Sequence, residues 1–558
     1  MVMRRLLALV LTAVVTLAPL AAATPVRARH VMVVSRESHA TDAGLAVLKS
    51  GGNAVDAAIA VGLALAVTHP SAGNIGGGGF MLLRFADGRT TFIDFREKAP
   101  AKATRDMYLD AGGQPTADSL TGWRAPGVPG TLRGFELAHQ KYGKAKWADL
   151  VAPAVQLAKR GFPVSYGLAE ELREAKNLSA FPDSSRIFQR NGRFLESGEL
   201  LVQPELGTVL ERVQKRGARD FYEGETASLL VSQVAKHGGL FTADDLRNYQ
   251  AVERVPLTGT YGGYQLVTAP PPSSGGIGIL QMLGVLEETD YARDGAGSAH
   301  AIHYTAEVMR RFFADRAKYL GDPDFTKVPV RQLLDPRYLT TLRESIHPEK
   351  ATPSDAVAAG DLGPYESAET THYSVVDSEG NAAAVTYTLN GSYGSGVTVP
   401  GLGILLNNEM DDFSVKPGAP NKYGALGGEA NAIVPGKRPL SSMAPTIVLK
   451  DNKLVLVVGT PGGTRILTNV MQVIQNIIDF HMPVQDAVNF PRFHHQWRPD
   501  ILQIEPAFSS DTRQLLIRRG HQIEYVQSLC EIAAIEVQSD GWLAGAADPR
   551  VEGKAAGY

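Results

Sequence analysis

Glu369-Thr370-Thr371-His372-Tyr373-Ser374-Val375-Val376-Asp377 lies about two-thirds of the way along a chain of 558 residues, and its reading decides the fold. Its β-branched and aromatic residues suit a strand. As the interior of a strand, Thr370 is ordinary. As the first residue of a chain released by scission after Glu369, it is a nucleophile carrying its own base. The freed α-amine would titrate at roughly 7.7–8.0, close to its own hydroxyl. The residues around it favour the second reading.

Downstream, Asp377-Ser378-Glu379-Gly380-Asn381 turns the chain into Ala382–Leu389, which predicts a hairpin. Strands are expected at Ile404–Asn407, Thr446–Leu449 and Leu454–Val458, and helices at Arg465–Phe480 and Val484–Asn489. Upstream, residues 350–369 are polar and turn-rich, as an exposed linker would be. The middle of the chain has helical spacing at Val151–Lys159, Glu205–Arg216, Ala227–Lys236 and Ala299–Lys318, interrupted by proline-rich loops such as Pro270–Gly276. Nearer the start, Thr41-Asp42 is read as the cap of a helix running to Lys49. Asn53 is read as the cap of an all-round apolar, hence buried, helix from Ala54 to about Val67. A glycine loop, Gly73–Gly79, leads into Phe80–Phe85, which Ala86-Asp87-Gly88 returns as Thr90–Phe95. Helices flanking two groups of hairpin strands predict a layered α+β fold with largely antiparallel sheets.

The net charge of −3, with 44% hydrophobic and 20% charged residues, gives no basic face for nucleic acid. A small-molecule substrate is therefore expected. Arg4-Arg5, the apolar run Leu6–Leu20 and Ala21-Ala22-Ala23 read as a signal peptide over 1–23, which implies export to the periplasm or beyond and no membrane anchor in the mature form. The single cysteine, Cys530, has no histidine or glycine turn beside it and is read as inert.

Several motifs have plain structural readings. Gly76–Gly79 lacks the lysine and the strand–loop–helix order of a phosphate loop, and reads as a tight turn under close-packed backbone. His494-His495 lacks a third metal ligand at suitable spacing and reads as structural. The C-terminal third differs. Thr386–Gly394 is a strand running into a polar turn, and Asn407–Phe413 carries two amides and three acids. Pro439–Pro445 holds a serine pair between prolines, and Gly459–Thr464 joins an apolar strand to a helix. Together they supply hydroxyls, acids and glycine N–H groups able to receive an oxyanion.

On these strings, with Gly73–Phe80, Asp94-Phe95-Arg96-Glu97, Thr370–Ser374, Tyr387–Asn390 and Pro461-Gly462-Gly463, the chain from about residue 30 to Tyr558 closely resembles the bacterial γ-glutamyltransferases (γ-glutamyltranspeptidases). These belong to the N-terminal nucleophile hydrolases. The resemblance implies a four-layer αββα sandwich and a precursor that cuts itself between Glu369 and Thr370. The products would be a large subunit, 24–369, and a small catalytic subunit, 370–558, that stay together as a heterodimer. It implies Thr370 as nucleophile, assisted by Thr388. Arg96, Ser441 and Ser442 would hold the α-carboxylate of a γ-glutamyl group, and Asn390, Glu409 and Asp412 its α-amine. Gly462 and Gly463 would receive the oxyanion, and Tyr423 would sit in a lid over the site, Pro417–Gly428. Some members of the family carry Gln at the position of Glu409, and the residue before the cut varies.

The implied substrates are glutathione and other γ-glutamyl compounds, with water, amino acids or short peptides as acceptors. No metal or organic cofactor is implied. Two other readings stay open on the sequence alone. One is an acylase of the same fold acting on glutaryl side chains. The other is a homologue that does not cut itself and only binds.

Overall fold

In a computed structural model of the chain, the described residues are 24–357, 369–416 and 428–558. Two seven-stranded sheets lie face to face. The first runs, in spatial order, Lys554–Gly557, Met32–Ser35, Glu369–Val376, Ala382–Asn390, Gly78–Arg84, Thr90–Asp94 and Val252–Arg254. The second runs Val26–Ala28, Leu543–Ala547, Ala533–Val537, Lys453–Gly459, Thr446–Lys450, Tyr264–Thr268 and Leu257–Tyr261. Every ladder in both sheets is antiparallel.

Helices cover the outer faces. Ser38–Lys49 and Ala54–Thr68 pack on the first sheet, against residues such as Met81, Tyr373 and Val375. Gly275–Leu286, Ala299–Tyr319 and Arg465–Ile478 pack on the second. The result is the αββα sandwich, and it follows from strand alternation. Tyr373 and Val375 point to the helices, whereas Thr370, His372 and Ser374 point between the sheets.

The buried helix starts at Asn53 as expected. The Asn53 side chain accepts from the N–H groups of Val55 and Asp56, Asp56 accepts from the Asn53 N–H, and all fifteen helical residues are buried. The helix before it begins at Ser38 rather than Thr41, because the Glu37 carboxylate accepts from the N–H groups of His39 and Ala40. Ile404–Asn407 is not a ladder strand. One isolated bridge pairs Leu405 with Thr398, and the Asn407 N–H donates to Gly76 O in the glycine loop instead.

That loop does what close packing requires. A Cβ on Gly77 would collide with Thr388 O, and one on Gly79 would stand 2.5 Å from Thr386 O. His494 and His495 are both buried and bonded to protein groups. Thr468 and Gln496 hold the first, and Asp500 the second. Of the exposed linker expected over 350–369, residues 358–368 lie outside the described residues; in 350–357, Ala351 and Ser354 are buried rather than exposed, Ser354 bonding to Arg310 and Trp497.

Candidate active site

At one end of the sandwich the two strands of the central hairpin fall out of step. Thr371 pairs with Tyr387, but Glu369 pairs with Asn390, so the partner strand takes one extra residue beside Thr370. Bulges of this kind re-aim side chains. Here Thr370 Oγ1 comes to 3.4 Å from Thr388 Oγ1, with both residues buried. Thr388 is gripped on both sides. Its hydroxyl accepts from the Asn390 N–H at 2.8 Å and its carbonyl accepts from Asn74 Nδ2 at 2.8 Å. Asn390 sits at φ +74°, a conformation Asn tolerates, and its side-chain amide donates to Asn408 O at 3.0 Å.

Two strands away, Arg96 follows Thr90–Asp94 into the same end of the sheet. Its backbone is fixed by Asp94 Oδ1, which accepts its N–H at 3.0 Å, and by Tyr249, whose hydroxyl donates to its carbonyl at 2.8 Å. Its guanidinium is buried between Glu409, on one amino group, and Asp412, on the other. It also donates to Pro439 O and Leu440 O, both at 3.3 Å, which brings the serine pair alongside. Glu409 is placed by Asn407, whose side-chain oxygen accepts the Glu409 N–H at 2.9 Å while its amide donates to Gly76 O and Gly127 O.

Ser441 and Ser442 are held from behind. The Ser441 N–H donates to Pro272 O, and the Ser441 carbonyl accepts from Ser274. Ser442 Oγ lies 3.1 Å from Arg316 Nη2 and 3.3 Å from Ser274 Oγ. On the facing sheet, Gly462 and Gly463 have φ of +128° and +59°. Their carbonyls accept from Arg465 and Ile466 in the first turn of Arg465–Ile478. The glycine amides thus lie at the helix start, where N–H groups have no intrahelical acceptor.

The structure brings Arg96, Glu409, Asp412, Ser441 and Ser442 together, and Thr370, Thr388 and Asn390 beside one another. Tyr423 lies outside the described residues, as does most of the lid segment. Sequence reasoning missed Glu97 and Arg316. The Glu97 carboxylate is fully buried 3.7 Å from Arg96, and burial pushes it up to about 7 against the pull of that cation. Arg316 sits in a long buried helix whose spacing carries no mark of a site.

Cys530 is half-buried with its Sγ packed against Gly462, and desolvation pushes its thiol up to about 12, far from a nucleophile's range.

This arrangement can do acyl transfer. It offers paired hydroxyls, glycine amides on the opposite sheet, and a buried cation between two acids matched to a ligand carrying both charges. The family model described as "Gamma-glutamyltranspeptidase" matches residues 40–558. The glutathione hydrolase proenzyme of Escherichia coli K12 is 52% identical over 96% of this chain and 93% of its own length. The crystal structure of a cephalosporin acylase from Bacillus halodurans superposes with a TM-score of 0.84 at 28% identity, over 96% of this chain and 97% of that one. A Helicobacter pylori γ-glutamyltranspeptidase structure gives 0.57 at 41% identity, over 58% of this chain and 93% of that one. The chain belongs to the γ-glutamyltranspeptidase family.

Proposed function

We propose that this protein is a precursor that cuts itself between Glu369 and Thr370 and then cleaves the γ-glutamyl amide of glutathione and related compounds. In the uncut chain the Thr370 nitrogen is an amide and has no basic lone pair. Attack of Thr370 Oγ1 on the Glu369 carbonyl carbon, loss of the C–N bond and hydrolysis of the resulting ester would free it as an amine. That amine then takes the hydroxyl proton as Thr370 attacks the γ-carbonyl. Thr388 orients the hydroxyl. The Gly462 and Gly463 N–H groups receive the oxyanion, each contributing about 3 kcal/mol. The amine product leaves with the proton, and a glutamyl ester remains on Thr370. Water, or the amine of an amino acid or peptide, resolves the ester.

The observation that carries this reading is Arg96 held between Glu409 and Asp412 beside Ser441 and Ser442. An α-carboxylate takes the arginine and the serines, and an α-ammonium takes the two acids and Asn390. The lid over Pro417–Gly428, with Tyr423, would close on this pocket.

The two pieces stay together as a heterodimer. In the first sheet, Glu369–Val376 lies between Met32–Ser35 of the large piece and Ala382–Asn390 of the small one, and Gly78–Arg84 of the large piece follows. Among the described residues no helix is long and apolar enough to cross a membrane. With the leader over 1–23, we read the mature protein as exported, periplasmic or secreted, and without an anchor.

The likeness to a cephalosporin acylase supplies the rival reading, a substrate without the α-amine. Hydrolysis of γ-glutamyl and glutaryl anilides by the cut protein separates the two. The account expects the γ-glutamyl compound to be favoured in kcat/KM by roughly 10²-fold or more, since a glutaryl group brings no ammonium to Glu409 and Asp412, which then have Arg96 but not the substrate's charge to answer. Preference for the glutaryl compound would overturn it.

A further inference from the structure

Two residues beyond Thr370, on the same inter-sheet face, His372 is 1% exposed. Its Nδ1 lies 2.7 Å from Thr386 Oγ1 and its Nε2 3.1 Å from Ser374 Oγ. The Ser374 hydroxyl donates to Ala533 O at 3.2 Å, so it accepts from Nε2–H. Nδ1 is then the acceptor for the Thr386 hydroxyl, and the imidazole is neutral. Burial holds it there, pushing its pKa down to about 3.

Ala533 is the ladder partner of Gly459, the last residue of Lys453–Gly459. The His372 ring fills the space that Gly459 leaves. A Cβ on residue 459 would stand 2.5 Å from Nδ1 and 2.7 Å from Nε2. From Gly459 the chain runs through Thr460 and Pro461 directly to Gly462 and Gly463. The His372 ring therefore lies between the strand that carries Thr370 and the end of the strand that delivers the oxyanion amides. On its other side the loop is clamped. Thr460 Oγ1 accepts from the Glu531 N–H at 2.9 Å, and Cys530 abuts Gly462.

We propose that His372 is a positioning residue for the oxyanion: its ring, seated on Gly459, sets the height of the Gly462 and Gly463 amides over Thr370 Oγ1. It is no general base, because its basic nitrogen already takes the Thr386 hydroxyl and the ring lies wholly within the interior. The proposal rests on the reading above that these amides receive the oxyanion. Catalytic geometry is unforgiving, and a shift of about 1 Å in such a group costs about 10²-fold in rate.

The test uses full-length precursor, purified after cutting, with kcat and KM for a γ-glutamyl anilide expressed per cut chain and thermal midpoints beside them. The variants are His372→Gln, His372→Asn, Gly459→Ala and the Gly459→Ala/His372→Asn double. Gln refills the ring's volume and keeps a donor toward Ser374. Asn leaves a gap. Gly459→Ala drives a methyl into the ring. We expect kcat to fall about 10²-fold for Asn and for Gly459→Ala, and less than tenfold for Gln. The double should recover at least tenfold over Gly459→Ala, because the shorter side chain makes room. KM should stay within about threefold throughout, since Arg96 and the serines are untouched.

A merely structural role predicts lower midpoints with unchanged kcat per cut chain. That result, or a double no better than Gly459→Ala, overturns the proposal. If His372→Asn stays uncut, the comparison of Gln with Gly459→Ala decides in the same way. A wild-type cut protein inert toward the anilide would instead overturn the proposed function, so the two failures are distinguishable.

Discussion

Arg96 shows what a residue can and cannot reveal before the fold is known. As one arginine among many it was marked only by its neighbours Asp94, Phe95 and Glu97. In the structure it is a buried guanidinium with an acid on each amino group. Lysine keeps the charge but loses the fork. Arg96→Lys is therefore expected to raise KM for a γ-glutamyl donor by about 10-fold to 10²-fold, equivalent to roughly 1.5–3 kcal/mol, with a smaller effect on kcat; steady-state kinetics check this.

Glu97 makes a different prediction. Its carboxyl titrates at about 7 in the folded protein and near 4.5 when unfolded. Between those values the folded state keeps a proton that the unfolded chain has lost, so stability falls as pH rises through that window and stays lower above it. Glu97→Gln removes this cost. Urea denaturation should find variant and wild type equal near pH 4 and the variant more stable at pH 8, by an amount on the order of 3 kcal/mol. A variant less stable at pH 8 would contradict it. Arg316 and Glu97 stayed illegible because burial is a property of the packed molecule, and their neighbours in sequence do not mark it.

Elements were most legible where one local rule sufficed. Asn53 followed by an apolar run fixed a helix start, and glycine turns fixed two hairpins. They failed where a distant partner decided. Ile404–Asn407 has strand composition, but Asn407 bonds to the glycine loop and to Gly127. Gly275–Leu286 is a buried helix hidden behind four glycines, Gly275, Gly276, Gly278 and Gly284. Packing against Phe312, Leu339 and Ala444 leaves no space for side chains there. The glycine loop yields a sharp contrast. Gly77→Ala should cost about 1–3 kcal/mol and slow self-cutting, because the new methyl meets Thr388 O. Asn53→Ala should cost about 1 kcal/mol and leave cutting unchanged. Urea midpoints and the cut fraction over time on a gel read both, and a Gly77→Ala chain that cuts at the normal rate would refute the first.

At the scale of the molecule, the sandwich explains how a chain can be severed without falling apart. Both sheets interleave strands from either side of the proposed cut, and the core between them draws on Met32, Leu82, Val376 and Val457 alike. The pieces should therefore elute together on gel filtration and separate only in denaturant. The layering was foreseeable from hairpins flanked by helices. The short edge strands Val26–Ala28 and Lys554–Gly557, and Met32–Ser35 next to the latter, were not, because they form only on sheets assembled from distant segments.

All of the proposed chemistry requires that Thr370 become a chain terminus. Intact-mass analysis with N-terminal sequencing of the purified mature protein tests that most directly. The expected result is two fragments, the smaller beginning Thr370-Thr371-His372-Tyr373 and ending at Tyr558. An active protein that remains one chain, or whose small fragment begins at any other residue, would contradict the account.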